Sequence, residues 1–228
     1  MWRVGWLVLK RTVDPVEATY TAAVSAALPM VARPVQTDAG DWLADGWGAT
    51  EWIDARPEPE RWDEVLAIGE RLHAALKGLR PDWPDAIAAR TTPWAIADRV
   101  AWQEQALPSE LSGEVQAGVA RALELVPAHD DRPVQVVHCD LAGNVLFPAR
   151  GPGVVIDLSP YRRPVGFATA VAVLDQICWH GAPAERSDLT DPGDLARAAV
   201  FRIVAAALQS ESAGRAEAER ATPLLRYP

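Results

Sequence analysis

Val136-Val137-His138-Cys139-Asp140-Leu141-Ala142-Gly143-Asn144-Val145-Leu146-Phe147 joins two apolar runs through a His-x-Asp-x-x-x-Asn segment. Thirteen residues past Asn144, a further run, Val154-Val155-Ile156, ends in Asp157. Short β-branched runs bounded by turn residues read as strands, and Pro148-Ala149-Arg150-Gly151-Pro152-Gly153 has turn composition. A hairpin turning near Arg150 and Gly151 sets Asn144 and Asp157 opposite each other at its open end. Asp140 then lies in the loop just before them. His138, at the end of a Val134 to Val137 strand, is placed to brace that loop.

One carboxylate beside two hard oxygen donors suits phosphoryl transfer. That reaction needs little covalent chemistry from the protein; it needs a base for the acceptor hydroxyl and metal ions to neutralise phosphate charge. Magnesium takes one or two protein oxygens and completes its shell with phosphates and water. Asp140 is therefore the candidate base, with His138 beside it as a bracing member of the catalytic loop. Asn144 and Asp157 are the candidate metal ligands. An Asp or Asn next to a strand is, taken singly, an ordinary turn residue; the argument rests on the set and on the strands that flank it.

The rest of the composition bounds this reading. The chain has 228 residues, 49% of them apolar, enough for one domain or two lobes with a good core. A net charge of −9 argues against nucleic acid as a partner and is compatible with a cationic small substrate. Two cysteines, Cys139 and Cys178, are too few for a disulfide framework and fit a reducing compartment. Cys139 reads as a small packed residue. No segment is long and apolar enough to span a bilayer, and Val4 to Leu9 is too short for a secretory core. The expectation is a cytoplasmic protein with no membrane partner.

Along the chain, Trp2 to Val4 and Trp6 to Lys10 form a hairpin turning at Gly5. Asp14-Pro15 opens a helix to about Leu28, proline being tolerated in a first turn. Arg33 to Thr37 and Trp42 to Asp45 read as a second hairpin around Asp38 to Asp41, followed by a strand from Trp47 to Ile53. Pro57 and Pro59 mark a break, which divides the chain into a small β lobe with one helix (1–56) and a mostly helical lobe (57–228). Trp62, Val65, Leu66, Gly69, Leu72, His73, Leu76 and Leu79 step at helical spacing; His73 on that face reads as a satisfied core histidine. Further helices are expected at Pro93 to Ala106, Leu111 to Val126, Val165 to Trp179, Leu195 to Leu208, and from Ser210 through Arg220. Arg162 and Arg163, following Asp157, read as a solvated pair or as a contact for phosphate or carboxylate.

These residues resemble the aminoglycoside phosphotransferase-like branch of the protein-kinase-like fold. Val8-Leu9-Lys10, Leu66 to His73, His138 to Phe147 and Val155-Ile156-Asp157 carry the resemblance, which spans roughly residues 1 to 180. It implies a two-lobed α+β architecture, ATP or GTP with Mg²⁺, and a hydroxyl-bearing small molecule as acceptor. By position, it implies that Lys10 holds the nucleotide phosphates, Glu17 pairs with Lys10, and the backbone of Glu51-Trp52-Ile53 meets the adenine edge. Asp140 would be the base, with Asn144 and Asp157 on magnesium.

The family also begins with a strand, glycine loop and strand that cover the phosphates, and this sequence does not contain them ahead of Lys10. The expectation is an N-terminally truncated form of the fold. Without its first strand, Met1 to Val4 becomes an open sheet edge carrying Trp2, which invites a homodimer. Two functions remain open: a small-molecule O-phosphotransferase, or a catalytically inactive kinase-like nucleotide-binding or regulatory module.

Overall fold

The computed structural model describes residues 1–225. Two compact units divide the chain: Met1–Ala88 with Gln135–Arg162, and Ala89–Val134 with the chain from Arg163 onward. The first unit is thus discontinuous in sequence. The expected break at 56/57 does not coincide with this division, because strand pairing across it ties residues 55–57 to the hairpin near 147.

In the first unit, strands β1 (Trp2–Val4), β2 (Leu7–Arg11), β3 (Pro34–Val35), β4 (Leu43–Ala44) and β5 (Trp47–Glu51) form an antiparallel sheet. Its order is β1-β2-β5-β3, with β4 pairing β5. The β1–β2 hairpin turns at Gly5, whose positive φ of 59° suits glycine. The second expected hairpin is not formed between 33–37 and 42–45. β3 and β4 each pair with β5 instead, and the tight turn falls at Asp45-Gly46, both with positive φ. Asn-Gly and Asp-Gly dipeptides favour that turn, and here Asp-Gly outcompeted the longer loop.

Helix α1 (Pro15–Ala26) starts as its sequence requires. Asp14 caps it, accepting from the N–H groups of Val16 and Glu17 at 3.0 Å. Strand β6 (Ala55–Pro57) precedes α2 (Trp62–Leu79), which buries the stripe Val65, Ile68, Leu72 and Leu76. A four-residue helix, α3 (Asp85–Ala88), ends the segment. When the chain returns, β7 (Gln135–His138), β8 (Val145–Pro148), β9 (Val154–Val155) and β10 (Pro160–Arg163) form two small sheets. One is β10-β7; the other is β6-β8-β9, antiparallel throughout. β6 and β10 escape sequence reading because each carries prolines and too few apolar residues to show a period.

The second unit is helical. Helices α4 (Pro93–Ala101), α5 (Gly113–Leu123), α6 (Val165–Trp179), α7 (Pro192–Gln209) and α8 (Glu211–Ala221) make it up, together with a 3₁₀ turn at Ala184–Leu189. α7 packs against each of the other four and is buried nearly all round. Its Phe201 continues an aromatic chain, Trp94–Phe201–Phe167–Trp102, with ring centroids 5.5 to 5.9 Å apart. Charges inside this unit are matched: Arg202 on α7 pairs with Asp175 on α6, and Arg132 bridges Asp130 and Asp194. Paired burial is what makes such charges tolerable. Arg163 belongs here too. It grips Asp98 and Glu104 with bonds of 2.6 to 2.9 Å above the Trp102 ring. That corrects the expectation of a solvated or ligand-facing arginine pair. Arg162 is exposed.

Among the described residues, no helix is long and apolar enough to cross a membrane.

Packing in the first unit is tightest where the metal-type hairpin meets α2. A Cβ on Gly153 would lie 2.6 Å from Ile68 Cδ1 and 2.9 Å from both Phe147 and Val145. Gly153→Ala should therefore lower stability by roughly 1–3 kcal/mol through overpacking. Gly78→Ala, in open space late in α2, should raise it by about 0.5–1 kcal/mol through helix propensity. Urea unfolding midpoints of the two variants check the pair.

Candidate active site

Asp140, Asn144, Asp157 and Lys10 come together within the first unit. The β8–β9 hairpin pairs Val145 with Val155, and the Ile156 N–H donates to the Asn144 carbonyl at 2.9 Å. Asn144 therefore lies opposite Ile156, one residue short of the expected partner, and Asp157 is the next residue along. Two donors distant in sequence thus become neighbours at the mouth of one hairpin.

The loop before it is fixed from within. The Asn144 N–H donates to the Leu141 carbonyl at 3.0 Å, and Gly143 takes a φ of 82° to allow that turn. The Asn144 side-chain amide donates to the Asp140 carbonyl (2.7 Å) and to Asp140 Oδ2 (2.9 Å). Its N–H₂ end is thereby turned toward Asp140, and its amide oxygen is the end that can serve a cation. Asp157 adopts φ 52°, the left-handed region. Asp tolerates that region better than most side chains, yet such backbone still costs of order 1 kcal/mol and gathers at functional sites.

Lys10 on β2 reaches Asp157, donating from Nζ to Oδ1 at 2.5 Å and to Oδ2 at 2.6 Å. Both side chains remain about half exposed, 54% and 46%. Glu17, expected to pair with Lys10, stands in the first turn of α1. There an acid is favoured by the helix dipole.

Behind the loop lie two buried imidazoles. The His138 N–H donates to His73 Nε2 at 3.2 Å, and the Ser159 N–H donates to His138 Nδ1 at 3.0 Å. Gln135 Nε2 donates to the His73 carbonyl at 2.8 Å. The Cys139 N–H donates to the Ser159 carbonyl at 3.1 Å. His138 thus links α2 to the residue just before β10 through these two hydrogen bonds. His73 is its partner, and the core reading of its sequence position did not foresee that contact. Cys139 is buried and forms no disulfide.

The Glu51-Trp52-Ile53 segment ends β5. The Glu51 N–H donates to the Arg33 carbonyl (2.9 Å) and the Trp52 N–H to the Trp6 carbonyl (2.8 Å), so these two donors serve the sheet. The Trp52 indole is 39% exposed and is covered by the Arg3 guanidinium, 4.2 Å from the ring centroid. Arg3 drew no notice in the sequence. The available signal was its strand partner: register sets it beside Val8, one alternation from Lys10.

The donor set fits magnesium in kind. A carboxylate (Asp157) and an amide oxygen (Asn144) at one hairpin end are few and hard, which suits an ion that keeps phosphate and water in its shell. Among the described residues no group of three or more His, Cys, Asp or Glu side chains could form an all-protein metal cage.

Comparisons with known proteins bear on the family and the fold. The profile of the phosphotransferase enzyme family (APH) matches residues 13–162, well over half of the chain. Among solved structures, a choline/ethanolamine kinase family protein from Mesorhizobium loti superposes with a TM-score of 0.58 at 15% identity. That match covers 99% of this chain and 84% of the other. The choline kinase LicA from Streptococcus pneumoniae gives 0.58 at 13% identity, covering 96% and 85%. A thermostable mutant of the aminoglycoside phosphotransferase APH(4)-Ia, solved with AMP-PNP and hygromycin B, gives 0.61 at 14% identity, covering 96% and 85%. At such identities the structural likeness establishes the fold. Comparison with the curated proteins finds no match.

Two measurements test the site's electrostatics. Burial, followed by the nearby His138, lowers the His73 pKa to about 4. Below pH 6.5 the unfolded chain takes up a proton that folded His73 refuses until about pH 4. Stability should therefore fall through that window, by about 3 kcal/mol in all. His73→Gln, which keeps an acceptor but cannot titrate, should flatten the slope of unfolding free energy against pH. The Lys10–Asp157 pair is too exposed to matter much for folding. Lys10→Ala should shift stability by less than about 1 kcal/mol in the same assay.

Proposed function

This chain belongs to the phosphotransferase enzyme family, and we propose that it transfers the terminal phosphoryl group of ATP or GTP to a hydroxyl group of a small molecule. The observation that carries this reading is the convergence of Asp140, Asn144, Asp157 and Lys10 in one unit, with the first two hydrogen-bonded and the last two paired. Asp140 accepts the acceptor hydroxyl's proton as the hydroxyl oxygen attacks the terminal phosphorus; the bond from that phosphorus to its bridging oxygen breaks, and the nucleoside diphosphate leaves. The Asn144 amide, bonded to both the side chain and the backbone of Asp140, holds that carboxylate in one orientation. Lys10 neutralises the phosphates, a task it can take up by exchanging one anionic partner for another. Magnesium, held by Asn144 and Asp157, would supply charge neutralisation on the transferred group. With the Glu51 and Trp52 N–H groups engaged, the base edge falls to the Ile53 N–H in this reading. Glu17, in the first turn of the helix after Lys10, completes the proposed nucleotide set.

The acceptor class follows the family rather than any residue here. A net charge of −9 suits a cationic amino alcohol or aminosugar. Choline and hygromycin B, named with the structural relatives, are of that kind.

Calorimetry with Mg·ATP and Mg·GTP, followed by a phosphate-transfer screen over hydroxylated amines, tests the reading. Asp140→Asn should lower turnover by roughly 10²–10⁴-fold while nucleotide still binds. Asp157→Ala should abolish the magnesium dependence of binding. Wild-type protein that binds neither nucleotide overturns the proposal. Binding without transfer to any acceptor would favour the regulatory-module alternative.

The same reading includes a homodimer. β1 ends its sheet's order, and Trp2, Val4 and Trp6 are all more than half exposed there. The edge is short, yet its unpaired backbone groups and exposed apolar side chains offer a surface for a second copy. Sedimentation at tens of micromolar should show a dimer that Trp2→Lys dissociates; a wild-type monomer refutes it.

A further inference from the structure

Arg3 is a charged residue that the proposed chemistry leaves unused, and its place in the sheet is informative. β1 and β2 pair with Arg3 opposite Val8, and β2 pairs with β5 so that Val8 faces Thr50. Directly paired residues share a face of an antiparallel sheet, and side chains alternate faces along each strand. Arg3, Val8, Lys10 and Thr50 therefore project from one face, the face on which Lys10 meets Asp157. Along the strand, Val8 stands about 7 Å from Lys10, and the β1 strand lies about 4.8 Å to the side. That spacing is within the span of a triphosphate chain and of an extended arginine.

Arg3 is exposed, yet it is not loose. Its Nε donates to the Gly5 carbonyl at 3.2 Å, and its guanidinium lies 4.2 Å from the centre of the Trp52 ring. Trp52 follows β5, at the end of the sheet away from Lys10, whose register partner is Gly48. The guanidinium is thus held at the Trp52 end of the sheet, on the same face as Lys10 and about one strand's length from it. A cation on an exposed indole is weakly held. A phosphate oxygen offers a charge-assisted, often bidentate bond that Arg geometry matches better. Phosphate therefore wins Arg3 from the indole.

We propose that Arg3 is a second phosphate-binding cation of this nucleotide site, kept on the Trp52 indole until a polyphosphate arrives. The inference rests on the nucleotide-dependent function proposed above and adds to it a residue outside the motif. It identifies the ligand chemistry as a polyphosphate chain longer than one charge can neutralise. Lys10 then serves one part of that chain and Arg3 another.

The test is calorimetric titration of the full chain with Mg·ATP, inorganic tripolyphosphate with magnesium, and adenosine. Wild type, Arg3→Ala and Arg3→Lys are compared, with thermal melts confirming that each variant is folded. Arg3→Ala should weaken Mg·ATP and tripolyphosphate about tenfold or more and leave adenosine within twofold. Arg3→Lys should recover part of the loss, because a point charge replaces the planar fork. If Arg3→Ala binds Mg·ATP within twofold of wild type, this inference fails and the proposed function stands. An equal loss for ATP and adenosine also overturns it, since Arg3 would then act on the base through Trp52. If wild type binds neither ATP nor tripolyphosphate, the proposed function fails and takes this inference with it.

Discussion

The position of the loop that carries Asp140 depends on two imidazoles that accept backbone hydrogen bonds in the core. His73 projects from α2 and receives the N–H of His138 at the end of β7; His138 in turn receives the N–H of Ser159 at the start of β10. Helix, strand and returning strand are thereby locked through one line of donors and acceptors. Each acceptor nitrogen must stay unprotonated for the line to hold, and burial of His73 enforces that by making its charged form costly. An unmet backbone N–H at this depth would carry the full penalty of desolvation. Asp140 inherits its precision from this arrangement, because it lies two residues beyond His138 on a short loop.

The front of the site is built on the opposite principle. Lys10 and Asp157 form a close, two-pronged pair that is half open to water, where such pairs add little to stability. In the function proposed above, a strong pair there would compete with the phosphate and cation that the two residues are to meet. A weak one keeps the two charges in place at small cost and would yield to those ligands. The left-handed backbone at Asp157 fits the same proposal, since such a conformation costs free energy and gathers at functional sites. Rigid behind and exchangeable in front, the loop satisfies two demands that one kind of contact could not.

Much of this was legible in the sequence, for physical reasons that differ by element. α2 announced itself through the helical spacing of Val65, Leu66, Gly69, Leu72 and Leu76, and α1 and α4 through the Asp14-Pro15 and Thr92-Pro93 caps. The β8–β9 hairpin was readable because β-branched residues flank a Gly/Pro turn, although its register came out one residue from expectation. Register is set by turn geometry, which composition alone does not fix. The β3–β4 pairing misled because two-residue strands have no period, and β5 claimed both as partners. Arg163 misled because its partners, Asp98 and Glu104, lie some sixty residues away, and nothing local marks a long-range ion pair. Arg3 was invisible for a related reason: its meaning resides in a neighbour across the hairpin.

The interrupted first unit has a consequence for biogenesis. Residues 1–88 leave the ribosome long before residues 135–162, yet the apolar stripe of α2 is covered by β7 from the later stretch. Throughout synthesis of the intervening helices, that stripe has no native cover. Contacts so distant along the chain also demand loop closure before they return any free energy, which slows their formation. The nascent polypeptide thus passes through a sticky interval whose length is set by translation speed, a natural window for chaperone engagement and for losses when expression is forced.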